Sequence, residues 1–379
     1  MKKKTLFIVT TVPETLDTIL KNQPKFLNNT FDVSVVSSPA TALKRVAKNE
    51  GVSVHPVLMS RGINVFRDFI SLFFMIKLFL IHKPDIVHSY TPKAGLIAML
   101  AARLCFVKIK IHTFTGLIFP TQTGFKKSLL IFIDRIICKS ATHIVPEGEG
   151  VKRDLLSYKI TSKQLKLIGN GNIAGIDIEY FNKNNNSINT NLKSELSIPV
   201  ENFVFTFVGR LNVDKGIKEL VNAFLLQTEK NHLLLVGDID DTAPIQPDIM
   251  AIIKNHSRIH MLGFHSDIRP ALIASDVLVL SSYREGFPNV VLQAGAMSLP
   301  VIATDINGCN EIITPDFNGW LVEPRNEDSL AKAMQNAINT STPSLSLMAC
   351  NARTRIVERF ERNTYLKTLE NFYEQLVKS

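Results

Sequence analysis

Short apolar runs alternate with longer segments of helical periodicity along the whole chain. The runs are rich in Val, Ile, Leu and Phe, which is typical of strands buried on both faces of a parallel sheet. We predict strands at residues 5–10, 32–38, 85–90, 108–115, 142–147, 203–209, 232–238, 259–263, 277–282 and 300–305. The alternation predicts an α/β fold whose ligands bind beyond the carboxyl ends of the strands.

The predicted strands form two groups on either side of an Asn-rich stretch, NKNNNSINTN. This stretch is polar and has no apolar period, so we predict a linker over 182–196. It separates a domain over 1–181 from one over 197–360, and apolar residues at helical spacing over 361–379 predict a closing helix. We expect two Rossmann-like domains with a cleft between them.

Composition excludes several classes of protein. With 45% hydrophobic and 20% charged residues, the 379-residue chain is typical of a folded protein. The first apolar run is too short for a signal peptide, and the segment 69–81 is shorter than the ~20 residues of a membrane span. The cysteines are scattered without C-x-x-C spacing, which favours a reducing cytosol.

Charge is distributed unevenly along the chain. Residues 1–180 carry 25 Lys and Arg against 12 Asp and Glu, whereas 181–379 carry 18 against 22. A basic half suits a diphosphate or an anionic membrane surface. A nucleic-acid partner is disfavoured because the cations do not alternate with aromatic residues. A dinucleotide cofactor is disfavoured because GNGNIAG at 169–175 is not a G-x-G-x-x-G after a strand.

Two loops after predicted strands carry charged residues. Arg210 and Lys215 in VGRLNVDKG are able to clamp a phosphate or diphosphate, although a pair of surface charges is the alternative. In SSYREGFPNVVLQA, Pro288 is well placed as the first residue of a helix, whose positive N-terminal end favours an anion. Glu285 would repel a diphosphate. We therefore expect it to accept hydrogen bonds from neutral hydroxyls, as on a sugar, or else to interact with the helix dipole alone.

These loops, together with TDINGCNEII at 304–313, resemble the C-terminal domain of retaining glycosyltransferase family 4. TPKAG (91–95), HTFTG (112–116) and PEGEGVKRDL (146–155) resemble its bacterial capsule and O-antigen members. The resemblance implies the GT-B fold, sugar transfer with retention of anomeric configuration, and no metal or other cofactor. It also implies a donor site mainly in the second domain.

The resemblance assigns roles to individual positions. Arg210 and Lys215 would bind the donor diphosphate and stabilise the leaving group. Glu285 would contact the donor sugar and complete the predicted catalytic set, and Gln293 would lie at the nucleotide ribose. The predicted donor-binding residues are Gly209, Arg210, Lys215, Glu285, Gly286, Phe287, Pro288, Asn289 and Gln293.

Two positions depart from the family pattern. The second acid of its E-x7-E motif is Gln293 here, and an amide still accepts and donates hydrogen bonds. We expect altered nucleotide binding rather than an inactive enzyme. Many relatives have a histidine where this chain has Thr115, whereas His112 lies three residues earlier. Lys93 is a further basic residue, and the three form the predicted acceptor side.

The basic domain is predicted to bind the acceptor and to face a membrane. Segments 66–81 and 124–140 mix Phe, Ile and Leu with cations, as interfacial helices do, although core helices with cationic ends are the alternative. A peripheral position on the inner face of the cytoplasmic membrane suits a polyprenyl-diphosphate-linked saccharide acceptor, which such relatives use.

The resulting hypothesis is a hexosyl or N-acetylhexosaminyl transferase (EC 2.4.1.-) of lipopolysaccharide O-antigen or capsule synthesis. Its donor would be a nucleotide-sugar, UDP-linked and N-acetylated as in many relatives that share these motifs. A nucleotide-sugar epimerase of the same fold and a catalytically silent binding protein of an assembly complex are alternatives. The D-x-D formed by Asp238 and Asp240 we interpret as a solvated loop rather than a metal site.

Overall fold

A computed structural model describes residues 3–60, 62, 64–241 and 243–378, and this part of the chain divides into two compact units. The first comprises Met1–Gly175 and Arg362–Ser379, and the second comprises Ile176–Glu361. Each unit has its own apolar core.

The first unit contains a parallel sheet with helices on both faces. Its strands are β1 (Thr5–Val9), β2 (Asp32–Ser37), β3 (Ser53–Pro56), β4 (Ile86–Tyr90), β5 (Ile109–Phe114) and β6 (His143–Pro146). Its helices are α1 (Gln23–Leu27), α2 (Thr41–Glu50), α3 (Val65–His82), α4 (Pro92–Leu104), α5 (Gly124–Ser140) and α6 (Glu149–Ser157), with a π-helical turn at Thr15–Ile19 and a 3₁₀ turn at Phe119–Thr121. In the described residues the strand order is β3-β2-β1-β4-β5-β6, so the direction of winding reverses between β1 and β4.

The two faces of this sheet belong to different apolar clusters. Phe7 of β1 lies in the cluster that contains Phe79 of α3, whereas its neighbour Leu6 lies in the cluster that contains Leu43 of α2. Successive side chains of a strand point to opposite faces. Both faces are buried, which explains why the strands are almost continuously apolar.

The second unit repeats this architecture. Its strands are β7 (Phe203–Val208), β8 (Asn231–Val236), β9 (Ile259–Gly263), β10 (Val277–Leu280), β11 (Val301–Thr304) and β12 (Gly319–Val322). Its helices are α7 (Leu192–Glu195), α8 (Ile217–Leu225), α9 (Pro247–Asn255), α10 (Arg269–Ile273), α11 (Asn289–Ala296), α12 (Cys309–Ile312), α13 (Glu327–Asn339) and α14 (Thr342–Phe360), with a 3₁₀ turn at Val213–Lys215. The order β12-β11-β10-β7-β8-β9 makes β7 and β10 parallel neighbours.

The last helix, α15 (Arg362–Lys378), belongs to the first unit. Leu369 and Tyr373 are completely buried in the same cluster as Leu6. The Tyr373 hydroxyl lies 2.6 Å from Nδ1 of His88 on β4, so helix and sheet share a buried hydrogen bond. The predicted class, two parallel α/β sheets and a closing C-terminal helix, is confirmed.

The structure also differs from the sequence interpretation. All ten predicted strands are present, but β3 and β12 were not predicted, and both lie at sheet edges, where strands are short and tolerate Pro56 or Gly319. The units join at Gly175 and at Glu361, rather than within 182–196. Ile188 of that Asn-rich stretch is buried in the core of the second unit, which ties the stretch to it.

Candidate active site

The loops that follow β7 and β10 meet beyond the carboxyl ends of these neighbouring strands. Nζ of Lys215 in the first loop lies 2.5 Å from Oε1 of Glu285 in the second. The hydroxyl of Ser282 donates to the same carboxylate oxygen at 2.7 Å. The Lys215 and Glu285 side chains are 22% and 15% exposed, so solvent, and hence a ligand, reaches the pair.

Local features of the first loop hold Lys215 in place. The Asn212 side chain accepts the backbone N–H of Lys215 at 3.1 Å and caps the 3₁₀ turn. Gly216 has φ +64°, and a Cβ at this position would lie 2.1 Å from the carbonyl oxygen of Ser281. Glycine is therefore required for the loop to pack against the end of β10.

Arg210 is connected to this pair through an acid that the sequence interpretation missed. Its guanidinium forms an ion pair with Asp240, whose carboxylate also accepts from Asn212 Nδ2 at 3.0 Å. Polar contacts thus run from Arg210 through Asp240 and Asn212 to Lys215 and Glu285. The D-x-D pattern was the available signal for Asp240, but its side chain is 9% exposed and binds a cation rather than lying in a solvated loop.

No group of three or more His, Cys, Asp or Glu side chains within the described ranges is arranged to hold a metal ion. Asp240 faces Arg210, and one oxygen of Asp238 accepts the backbone N–H of Phe264 at 3.2 Å.

The EGFPN segment (residues 285–289) is anchored by the packing of Phe287. Phe287 is buried and its ring centroid lies 5.4 Å from that of Phe360. Helix α11 begins at Asn289 with Pro288 as its N-cap, one residue later than predicted, because the ψ of Pro288 is extended at 109°. Glu285 and Gly286 lie between this anchor and the end of β10.

The NGC turn packs directly on this segment. Gly308 has φ +79°, and a Cβ there would lie 2.3 Å from the Gly286 carbonyl oxygen. Glu311 accepts the Gly308 backbone N–H at 3.4 Å and so caps its own short helix, α12. The turn therefore supports the loop that carries Glu285.

Gln293 lies in the second turn of α11 and is half-buried. Its side-chain amide has no hydrogen-bond partner among the residues that the structure describes. The position is thus available to a ligand, as Lys215 and Glu285 are.

The predicted acceptor-side residues do not come together. Nζ of Lys93, at the start of α4, lies 2.6 Å from Oδ2 of Asp68 on α3. His112 is 1% exposed and its Nδ1 lies 2.8 Å from the Ser89 hydroxyl. Burial lowers the pKa of His112 to about 3, so the ring is neutral. Thr115 directly follows β5 and is half-buried.

His112 differs from its prediction for a packing reason. Its ring lies under α4, where a Cβ on Gly95 would come within 2.3 Å of it. A parallel strand covered on both faces buries the side chains of both registers, so alternation alone does not place His112 at the surface. Of the three predicted acceptor-side residues, Lys93 and Thr115 thus lie nearer to solvent than His112.

Backbone strain marks the carboxyl edge of the first sheet. Thr91 has φ +73° and ψ 145°, a region that essentially glycine alone occupies without cost. The Thr11 hydroxyl, 2.7 Å from that of Thr91, holds it there and also accepts the Ala94 N–H at 3.2 Å. These threonines lie after β1 and β4, where the strand order reverses and ligands of such sheets bind. The sequence interpretation missed both.

Helix α3 exposes a continuous row of large apolar side chains. Its aromatic stripe comprises Phe66, Phe69, Ile70, Phe73 and Phe74, which are 75%, 67%, 40%, 65% and 51% exposed. On the opposite side, Met75 and Phe79 are buried against the sheet. The alternative of a core helix is therefore wrong for α3. No helix in the described part of the chain combines the length and apolarity needed to cross a membrane.

Helix α5 exposes similar residues in its first half. Phe125 and Phe132 are 83% and 61% exposed, and Lys126, beside Phe125, is also exposed. Exposed aromatic residues next to cations are typical of interfacial helices.

Sequence comparison matches both halves of the chain to known families. The family described as "Glycosyltransferase Family 4" matches residues 25–172, and "Glycosyl transferases group 1" matches residues 202–340. The capsular polysaccharide biosynthesis glycosyltransferase CapM of Staphylococcus aureus is 30% identical over 383 residues, which cover 100% of this chain and 99% of that protein.

A second relative carries a more specific name. The UDP-Gal:alpha-D-GlcNAc-diphosphoundecaprenol alpha-1,3-galactosyltransferase of Escherichia coli is 28% identical over 92% of this chain and 90% of its own. Among solved structures, Anabaena HepE in complex with UDP-glucose superposes with a TM-score of 0.83 at 18% identity, covering 98% of this chain and 99% of that one. At this identity the superposition establishes the fold alone.

Proposed function

Because this chain belongs to the group 1 glycosyltransferases of glycosyltransferase family 4, we propose that it transfers one sugar from a nucleotide-sugar to a polyprenyl-diphosphate-linked saccharide. The sugar is a hexosyl or N-acetylhexosaminyl residue. The product extends a bacterial surface polysaccharide, a capsule or an O-antigen.

The contact between Lys215 and Glu285 carries this proposal. It brings a cation suited to a diphosphate next to an acid suited to sugar hydroxyls, in one solvent-accessible group beyond two neighbouring strands. A nucleotide-sugar needs a cation and an acid this close together, because its diphosphate and its sugar share one oxygen. Arg210, more than half exposed, supplies a second cation to the same set.

The reaction then requires little from the protein beyond binding and charge stabilisation. The acceptor hydroxyl oxygen bonds to the anomeric carbon on the face from which the carbon–oxygen bond to the diphosphate breaks. The hydroxyl proton passes to the departing phosphate oxygen. Arg210 and Lys215 stabilise the negative charge that develops on that phosphate, while Glu285 orients the sugar through its hydroxyls.

The relatives support a UDP-linked donor and a diphosphate-linked acceptor. The Escherichia coli relative is named for a UDP-galactose donor and an N-acetylglucosamine-diphosphoundecaprenol acceptor, and the Anabaena structure holds UDP-glucose. For this chain we propose the same two classes of substrate, with Gln293 near the ribose of the nucleotide.

A lipid-linked acceptor also gives the aromatic stripe of α3 a role. We propose that the stripe, with Phe125 and Phe132 of α5, lies in the interface of the cytoplasmic membrane. The excess of Lys and Arg over Asp and Glu in residues 1–180 is complementary to anionic headgroups. The enzyme would thus bind its acceptor at the membrane surface.

Two measurements test the proposal. Each of a panel of UDP- and GDP-sugars is first tested for an increase in melting temperature, because a ligand of the folded state stabilises it. Radiolabelled donors that bind are then incubated with membranes, with Glu285→Ala as the inactive control, and the lipid extract is counted. Label in the extract is expected with a UDP-sugar. Binding without transfer would indicate a silent binding protein, and an altered free nucleotide-sugar would indicate an epimerase.

A further inference from the structure

A cavity of about 150 Å³ lies in the first unit, at the carboxyl edge of its sheet. Helices α3, α4 and α5 and the segment after β5 contribute its walls. The walls are mainly apolar and include Leu96, Phe114, Leu117, Ile118, Leu130 and Ile133. A cavity of this volume accommodates a group of benzene size.

Asp134 of α5 is a polar group in this apolar wall. It is 8% exposed, and it has no hydrogen-bond or ion-pair partner among the residues that the structure describes. Burial raises the pKa of this carboxyl to about 7. A buried carboxyl without a partner destabilises a fold. Its presence in an open cavity therefore points to a ligand that supplies the missing partner.

The other charged groups of the cavity neutralise each other. Lys93 and Asp68 both line it, and Nζ of Lys93 lies 2.7 and 2.6 Å from the two carboxylate oxygens of Asp68. With Asp134 added, the three side chains carry no net positive charge. Among the residues that the structure describes, the lining thus does not favour a phosphate or diphosphate, which the lysine alone would have favoured.

The apolar walls and the Asp134 carboxyl together restrict the class of ligand further. An isoprene unit would fill the apolar walls but would leave Asp134 without a partner. A sugar ring bearing several hydroxyls would leave these without partners along the apolar walls. An acetamido group has a methyl group for the walls and an N–H that donates to the carboxylate. Its few heavy atoms also fit the volume.

We propose that this cavity is an acceptor subsite that receives the acetamido group of an N-acetylated sugar, with Asp134 accepting its N–H. The inference rests on the proposed transfer to a lipid-linked saccharide, and it names the sugar class on the acceptor side. Asp68, in the cavity wall, directly precedes Phe69 of the aromatic stripe on α3. The subsite therefore adjoins the helix that we assign to the membrane surface.

Two synthetic acceptors that differ in a single substituent test this subsite. Farnesyl diphosphate-linked N-acetylglucosamine and farnesyl diphosphate-linked glucose are each assayed with the UDP-sugar that gives the fastest transfer. We expect wild-type kcat/KM to favour the acetamido acceptor by about tenfold or more. Asp134→Leu should lower this value about tenfold to a hundredfold for the acetamido acceptor, and by no more than about threefold for the glucose acceptor.

Two further variants separate binding from folding. Asp134→Asn keeps an oxygen that accepts the N–H. Its kcat/KM for the acetamido acceptor should therefore fall less than that of Asp134→Leu. Asp32→Leu makes the same change at an exposed position at the start of β2, and should leave kcat/KM unchanged for both acceptors. The melting temperature of Asp134→Leu should equal or exceed that of the wild type, because the substitution removes a buried carboxyl without a partner.

The failures of the two proposals are distinguishable. Wild-type transfer to both acceptors with equal kcat/KM, or an equal loss on both in Asp134→Leu, would overturn the acetamido subsite and leave the proposed function intact. Absence of transfer to either acceptor, together with absence of label in membrane lipid, would overturn the proposed function and this inference with it.

Discussion

Nζ of Lys215 lies 2.5 Å from Oε1 of Glu285, although the two residues are 70 positions apart in the sequence. The parallel pairing of β7 with β10 brings their loops together, and Ser281 reinforces the junction by donating its hydroxyl to the Lys215 carbonyl at 2.9 Å. The acid of the EGFPN segment and the lysine of the VGRLNVDKG loop therefore act as one group, so a change in either should affect both halves of the donor.

Glu285→Ala should lower transfer by about a thousandfold, because the donor sugar loses the acceptor of its hydroxyl hydrogen bonds in the transition state. The melting temperature should change by no more than about 2 °C, since a partly exposed ion pair contributes at most about 1 kcal/mol. Initial rates of radiolabel transfer and thermal melts measure the two effects.

Asp17→Ala is the matched control for this substitution, because it removes an acid from a comparable ion pair, with Arg45, in the first unit. It should leave transfer unchanged. Wild-type rates in Glu285→Ala would show that the site is assigned to the wrong residues.

Gln293→Glu should strengthen UDP binding about fivefold to tenfold. A carboxylate accepts hydrogen bonds from ribose hydroxyls more strongly than an amide oxygen does. Isothermal titration measures the change, and Gln335→Glu on α13 makes the same substitution at an exposed hydrogen bond. Unchanged or weaker affinity in Gln293→Glu would place the nucleotide elsewhere, whereas a gain far above tenfold would mark the native site as compromised.

The double substitution Phe69→Ser and Phe73→Ser should reduce flotation with anionic liposomes by at least about tenfold at low salt. Each ring in a membrane interface buries apolar area of the order that stabilises by about 1.5–3 kcal/mol. The pair Phe264→Ser and Leu347→Ser removes equally exposed side chains from the second unit and should leave flotation unchanged. If the wild type itself fails to float, the membrane assignment of α3 is wrong.

Tyr373→Phe should lower the melting temperature by about 3–10 °C, because it removes the hydrogen bond of 2.6 Å to the buried Nδ1 of His88 and leaves this nitrogen only the Tyr90 hydroxyl at 3.4 Å. The control Tyr158→Phe removes a hydroxyl from an exposed tyrosine of the same unit, and should shift the midpoint by less than 1 °C or so. Differential scanning calorimetry compares the two. Equal shifts would mean that the hydroxyl of Tyr373 does not secure α15.

Acid should destabilise the first unit. Burial lowers the pKa of His88, and lowers that of His112 to about 3, whereas the unfolded value is about 6.5. Below about pH 6.5 the unfolded chain therefore binds protons that the folded chain does not, so stability falls as the pH falls. Asp134 has the opposite effect on stability between about pH 4 and 7. Burial raises its pKa to about 7, so the folded chain binds a proton there that the unfolded chain does not.

Proton uptake by Asp134 thus offsets part of the loss of stability that the histidines cause below about pH 6. Asp134→Asn removes this opposing titration, so its stability should fall more steeply with falling pH than that of the wild type. Thermal melts at pH 7, 6 and 5 compare the two proteins. A shallower dependence in Asp134→Asn than in the wild type would contradict the assignment of the buried carboxyl.

Much of the fold is predictable from the hydrophobic pattern because central strands of a parallel sheet are buried on both faces. β3 escapes this rule because its sequence SVHP is half-exposed and ends at Pro56, whereas β12 is buried but has only four residues and begins at Gly319. The loops of the site follow such strands and were therefore located. Their joint role at one donor was predicted, but the direct contact between Lys215 and Glu285 was not, because the neighbours of β7 are determined by the topology of the sheet rather than by the sequence near it.

The acidic partners of Arg210 and Lys93 were also not predictable from the sequence near them. Asp240 and Asp68 bind Arg210 and Lys93 across 30 and 25 positions of sequence, and no local pattern links either pair. His112 was predicted on the acceptor side because many relatives have a histidine where this chain has Thr115, three residues later. The orientation of its ring, under α4 and against Gly95, depends on helix packing that periodicity does not specify.

The position of α15 has a consequence for biosynthesis. Leu369 and Tyr373 complete the core of the first unit, yet a ribosome makes them only after the whole second unit. Until then, apolar residues that pack against α15 are exposed to water, such as Phe31, whose ring lies 5.7 Å from that of Tyr373. N-terminal units usually fold first during translation. Here the second unit has the complete set of its residues earlier, and the nascent first unit is the part for which a chaperone is expected to bind.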